Sequence, residues 1–379
     1  MKSKFIEGLQ HSFCSIAALI FFGTLSVNSI TPPQTSDFPR ASSSVSILQT
    51  STPILDSIPF ETSFTDSIHL ILCPRFISPS TICFCDIRDH RVLIVEGDSG
   101  AVQVIGREGA GPGEFRAPSS IAVWDGNGLV VYDTMLLRLL LFDESGEFQR
   151  MLIGQYSARM GMPEMVSIDE SSFAISPRMM SADNVITDHV VLIPSSFDTT
   201  LCFPAPEPIS FLDADNPIGM DISNTTLGSG ENGTILVAYH TNYSIRRYSK
   251  AGDLIWDSGS LDRSFRPPSI NIPRREGYAV TTSVYNGIEN ITEIAGFGFA
   301  LAVWAYEGDG LGSMPPWYVD LRRLNGELIV RIPVPDHLQL GDIYRDGQTL
   351  YILAYHLGQM ELPTIRIFSI DLNKISASS

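Results

Sequence analysis

Residues Gly106–Asp143 read GREGAGPGEFRAPSSIAVWDGNGLVVYDTMLLRLLLFD, and the punctuation of this stretch decides how the rest of the chain is divided. A Gly/Pro-rich turn, GAGPGEF, leads through Pro118 into three short apolar segments, SSIAVW, GLVVYD and LRLLLFD. The turn Asp125-Gly126-Asn127-Gly128 separates the first two, and the residues after Asp133 separate the last two. Apolar runs this short, bounded by Gly, Asn and Asp, are strands, since helices need longer periodic segments.

The same beat recurs along the chain, most visibly in the second strand of each unit. Ile82–Asp86 (ICFCD), Ser172–Ser176 (SFAIS), Thr234–His240 (TILVAYH), Phe299–Tyr306 (FALAVWAY) and Thr349–His356 (TLYILAYH) align with GLVVYD. The first unit adds Arg75–Ser78, Val92–Glu96 and Val102–Ile105. The fourth opens at Met220–Ser223, the fifth at Ile291–Ala295 and the sixth at Leu340–Tyr344. Glycines in the turns ending at Gly146, Gly252 and Gly326 supply the positive φ that tight hairpins need. The sixth unit is one strand short, and Asp66–Leu72 (DSIHLIL) is a surplus strand at the other end. Pairing the two predicts a closed ring with no open sheet edge.

The run GAGPGEF, Pro118, IAV, GLVVYD and RLLLFDESG resembles the NHL-repeat family of β-propellers. That repeat runs roughly G-x-G-P-G-x-F-x-x-P-x-x-I-A-V-D, then G-x-I-Y-V-x-D, then R-I-x-x-F-D-x-x-G. The resemblance implies an all-β fold, a six-bladed β-propeller of four-stranded antiparallel blades over 66–379, closed by an N-terminal strand. It is strongest in the first two units and weakest in the third, which lacks the Gly-rich signature. The stretch Arg266–Tyr285 leaves room for a seventh blade as the competing count. A propeller scaffold hosts many unrelated activities, so the resemblance bears on fold and not on function.

Before the repeats, Lys2 and Lys4 precede an apolar run, Cys14–Val27, with small residues suited to cleavage after Ser29. This predicts a signal peptide over 1–29 and an extracytoplasmic protein, with an uncleaved membrane anchor as the alternative. Residues 30–65 are rich in Ser, Thr and Pro and read as a linker. A formal charge of -17 excludes the basic surface that nucleic-acid binding needs, and favours a soluble monomer. Cys83 and Cys85 lie two apart on one strand, face the same side and read as buried structural thiols.

Propeller resemblance implies that the loops joining second to third strands share one face with the loops between blades, around a central channel. The ends of the second strands then place Asp86, Asp133, Ser176, His240, Glu307 and His356 around one ring. Two histidines and three carboxylates near an axis suit a divalent cation, calcium or zinc, held by His240 and His356, or acid/base work. The ordinary reading stands beside it: an Asp closing this strand hydrogen-bonds the turn that follows. Arg107 and Arg116 offer basic points for an anionic ligand. Peptide-amidating lyases of the NHL type hold zinc through histidines, and a third such histidine is not evident here. No G-x-S-x-G, H-E-x-x-H or C-x-x-C occurs. The sequence therefore predicts a module that binds a small molecule or protein through its channel-face loops. A metal-dependent lyase or hydrolase in the channel is the alternative.

Overall fold

The structure, a computed structural model, describes residues 56–58, 68, 70–97, 99–124, 128–153, 163–169, 171–176, 178–180, 186–188, 190–194, 201–203, 225–239, 243–261, 287–304, 316–335, 338–356 and 364–376. After β1 (Asp56–Ile58), the first blade is β2 (Ile71–Ser78), β3 (Thr81–Asp86), β4 (Arg91–Glu96) and β5 (Val102–Ile105). The second is β6 (Pro118–Val123), β7 (Leu129–Asp133), β8 (Arg138–Phe142) and β9 (Phe148–Ile153). The third comprises β10 (Glu164–Asp169), β11 (Ser172–Ser176), β14 (Val190–Pro194) and β15 (Leu201–Phe203). Between its second and third strands a separate hairpin is inserted, β12 (Arg178–Met180) with β13 (Ile186–Asp188).

The fourth blade is β16 (Thr225–Gly230), β17 (Thr234–Tyr239), β18 (Ser244–Tyr248) and β19 (Leu254–Ser260). The fifth is β20 (Gly287–Ile294), β21 (Gly298–Trp304), β22 (Trp317–Arg323) and β23 (Leu328–Pro333). The sixth runs β24 (Gln339–Asp346), β25 (Thr349–His356), β26 (Thr364–Asp371), and β1 supplies its outer strand. All pairings within these blades are antiparallel, and the first strands of successive blades touch in a closed circuit, sixth to first included. The chain is a six-bladed β-propeller.

An N-terminal strand does close the ring, but it is not Asp66–Leu72. Asp56–Ile58 pairs with Ser369, Phe368 and Ile367, inside the segment that reads as linker. Ile71 and Leu72 belong to the innermost strand of the first blade. Leu70 and its neighbours look like a surplus strand because their apolar residues precede Arg75, where the alignment begins that blade. The first strand of the fourth blade is described as Thr225–Gly230, and Met220–Ser223, where the sequence opens that blade, lies outside the described residues. TTLGSG carries one large apolar side chain, so its strand character is invisible to a hydrophobic pattern.

Every blade is covered on both sides, which explains why β3 and β7 read as unbroken apolar runs where a half-exposed strand would alternate. On β3, Ile82 and Phe84 pack with Leu353 and Ile367 of the sixth blade, while Cys83 and Cys85 pack with Ile121 and Leu129 of the second. Equivalent clusters fill the other seams among the described residues. The helix α1 (Leu372–Ser376) buries Leu372 and Ile375 at the seam between blades five and six.

Polar bonds accompany the apolar ones at each seam. Ser120 Oγ donates to Pro163 O (2.7 Å), Thr226 Oγ1 to Ile288 O (2.6 Å) and Thr292 Oγ1 to Ile343 O (3.0 Å). Ser176 and Thr225 share a hydroxyl bond of 2.7 Å, and the Phe76 N–H donates to Asp342 Oδ2 (2.8 Å). Between the first two blades the Ile121 N–H reaches Cys73 Sγ at 3.4 Å.

Candidate functional site

Register places the ends of the second strands on one face of the ring. Asp86 lies opposite Ile71, Asp133 opposite Pro118, Ser176 opposite Glu164, Tyr239 opposite Thr225 and Trp304 opposite Gly287. The first strand of each blade thus starts where its second strand ends. His356 ends β25 on this same face, half-buried and opposite Thr364. His240 and Glu307 lie outside the described residues.

Asp133 is fully buried and turned into its own loops. Its Oδ2 accepts the Arg116 N–H (2.7 Å), and its Oδ1 accepts those of Ala117 (3.2 Å), Met135 (3.0 Å) and Leu136 (3.0 Å). Asp86, also fully buried, takes the Arg91 guanidinium at 3.1 Å, and Arg91 reaches Asp89 at the same distance. Arg107 and Arg116 sit in the Gly-rich loop, opposite Glu114 (3.0 Å) and Glu108 (3.8 Å), and both remain exposed. Of the sequence-derived residues, the structure joins Asp133 to the backbone of Arg116, pairs Asp86 with Arg91, and sets Arg107 against Glu114. Among the described residues no three His, Cys, Asp or Glu side chains are grouped to hold a metal ion.

The Gly-rich loop is held as one piece. Arg138 donates to the carbonyls of Ala110 (2.8 Å), Gly111 (3.1 Å) and Glu114 (2.7 Å), and Phe115 is fully buried beneath. Gly106 adopts φ +76, and a Cβ there would lie 2.3 Å from the Phe115 ring, so only glycine fits. The N–H of Gly111 and the Arg107 guanidinium hold the half-buried Glu114 carboxyl below its usual range.

A second group, not singled out by the sequence, lines the inner strands. Four of these strands carry a β-bulge near the same end: between Leu72 and Arg75, Pro118 and Ser120, Ile288 and Asn290, and Leu340 and Asp342. A bulge lifts residues out of the ladder and re-aims them. Below the first bulge, Arg75 spans three blades. It donates to Glu164 of the third blade (3.1 Å) and Gly341 O of the sixth (3.0 Å), with Asp342 at 3.8 Å. Asn290 of the fifth blade donates to Asp342 (2.8 Å). Glu289, in the bulge of the fifth blade, is the one exposed residue of its strand.

Burial sets the electrostatics of this group. It pushes the Asp342 carboxyl above its ordinary value, with Arg75 and the Phe76 N–H only partly opposing. Burial opposes the charge on Arg75 too, but Cys73, Asp342 and Glu164 outweigh it and hold the guanidinium protonated. Tyr355 is pushed up by burial and by Glu289. Cys83 and Cys85 are fully buried thiols raised well above the ordinary cysteine range, as inert packing groups are. The signal that could have found the cluster is a set of charges, Arg75, Glu164 and Asp342, within the first strands of three units.

No protein-family model and no curated protein matches the chain. Solved structures do match. A member of the DUF4221 family from Bacteroides vulgatus is 11% identical at TM-score 0.55, covering 83% of this chain and 95% of that one. A Bacteroides fragilis protein predicted to be exported is 14% identical at TM-score 0.52, covering 83% and 94%. Virginiamycin B lyase from Staphylococcus aureus is 9% identical at TM-score 0.48, covering 83% and 99%. At these identities the likeness extends to the propeller fold alone.

Proposed function

We propose that the chain is an exported, NHL-type propeller that works as a monomeric binding module for a small molecule or partner protein. The site is the face on which its second strands end. The observation that supports this is the common level of the four inner-strand bulges, which turn Cys73, Ser119 and Glu289 out of their ladders near that face. Cys73 and the buried Ser119 are bonded within the fold, whereas Glu289 is exposed, and a rigid ring holds it without reorganisation when a ligand arrives. Export rests on the leader-like start at Lys2, Lys4 and the apolar run after them. The Bacteroides fragilis neighbour carries the same prediction.

The test is a thermal-shift screen of the purified protein against small polar molecules and divalent cations, with hits mapped by hydrogen exchange. Protection in 87–90, 106–117 and 134–137, or at the Glu289 bulge, is the expected result. Protection confined to the hairpins ending at Gly146, Gly252 and Gly326, on the other face, would overturn the reading. Stoichiometric metal lost in a His240→Ala, His356→Ala double variant would replace it with a metalloenzyme.

A further inference from the structure

Three thiols meet at the seam between the first two blades. Cys83 and Cys85, two apart on β3, turn fully buried side chains toward the second blade and pack with Ile121. Cys73, half-buried in the bulge of β2, puts its sulfur against the same residue. Its Sγ accepts the Ile121 N–H at 3.4 Å and donates to Ile121 O at 3.9 Å.

The backbone of Cys73 is what brings it there. Ile71 packs toward the sixth blade and Leu72 toward the second, so strict alternation would turn the next side chain back to the sixth. Cys73 instead adopts φ 48, a left-handed conformation that L-residues seldom take, and stays on the side of Leu72, Cys83 and Cys85. Such a backbone persists only where the surroundings impose it, and it clusters where a side chain has a task. Register then singles out one partner. Leu72 lies directly opposite Cys85 and Cys73 is the next residue, whereas Cys83 lies opposite Arg75, beyond Pro74. One step off a direct antiparallel pair separates Cα atoms by about 5–7 Å, the span that a disulfide bridges.

We propose that Cys73 and Cys85 are a redox pair that closes a reversible disulfide across the first hairpin of the ring. The reaction is thiol–disulfide exchange with a small disulfide such as oxidised glutathione. The Cys73 thiolate attacks one sulfur of that molecule and expels a thiolate; Cys85 then attacks Cys73 Sγ and expels the second. The two cysteines lose two protons and two electrons, and the small disulfide takes them up as two thiols. Burial raises both cysteine thiols, so exchange is slow in the closed ring and runs chiefly before the second blade docks on the first. The bond would tie the bulge to β3 two residues from Arg75, whose side chain spans three blades, and so pass the thiol state to the channel lining. This inference goes beyond the binding module and draws on it only for export, which would bring the chain where small disulfides persist.

The experiment refolds the full chain from denaturant with oxidised glutathione, alkylates the remaining thiols and maps the tryptic peptides. Trypsin cuts after Arg75, so the bond should join peptide 41–75 to peptide 76–88. The link should survive in Cys83→Ser, vanish in Cys73→Ala and revert to free thiols with dithiothreitol. The linked chain should unfold at a higher urea midpoint than the reduced one, because the bond restricts the unfolded state. In Cys73→Ala the two conditions should give the same midpoint.

The proposal is overturned by a refolded parent in which Cys73 is free, carries only glutathione or is joined to any other cysteine. A link that Cys83→Ser abolishes, or a linked chain less stable than the reduced one, also overturns it. The peptide map of the parent decides the matter without any variant having to fold.

Discussion

Asp133 accepts four backbone N–H groups with one carboxylate, and this is where the chemistry of a single side chain matters most to the second blade. Asp133→Ala leaves those donors without their acceptor at a fully buried position. At about 1–3 kcal/mol for each buried group left unmet, with water reaching some of them, a loss of about 2–4 kcal/mol is expected in urea unfolding. Asp342 gives a prediction of opposite pH sense to a paired carboxylate. Its folded-state value is raised by burial, so the folded chain binds that proton more tightly than the unfolded one. Its contribution is fully present below the ordinary aspartate value of 3.8 and is lost as pH rises through the raised value. Stability of the parent should therefore fall across that window relative to Asp342→Asn, read from denaturant midpoints at stepped pH. Asp133 was legible in the sequence because it closes a strand in a recognisable repeat. Asp342 was not, because its partners Arg75 and Asn290 come from other blades and meet it only once the ring exists.

Among the elements, β1 is the least conspicuous and the most exposed to test. Three residues, Asp56, Ser57 and Ile58, give no period to read, and they lie in a Ser/Thr/Pro-rich stretch. Removing residues 1–60 would uncover the outer edge of β26. A handful of ladder bonds at about 0.5–1.5 kcal/mol each predicts a loss of about 2 kcal/mol. The bare edge should also make the truncated protein associate, seen as a concentration-dependent sedimentation coefficient. An unchanged midpoint and a single monomeric species would show that β26 does not need its partner. Strands with strong apolar runs, such as β7, β21 and β25, were legible with nearly their observed limits. The inserted hairpin β12–β13 and the strand β16 were not, since neither offers the alternation or apolar content that reveals a strand.

At the scale of the whole ring, the seams decide how close the blades can come. Gly228 of the fourth blade has an ordinary φ, but a Cβ there would lie 2.4 Å from Ile291 O of the fifth. Gly228→Ala must therefore separate two backbones, and a closed ring passes that displacement on to the other seams. Overpacking of this kind costs about 1–3 kcal/mol, to be read as a lower midpoint in thermal and urea unfolding. An equal midpoint in the variant would mean that the ring has slack at this seam. The closing pair of β1 with β26 also sets a timetable. β1 cannot find its neighbour until Thr364–Asp371 has been made, so the sixth sheet stays incomplete until then. Contacts between distant parts of a chain form slowly. A nascent or prematurely ended chain should therefore persist with an open edge, and only a chain carried through Asp371 can mature.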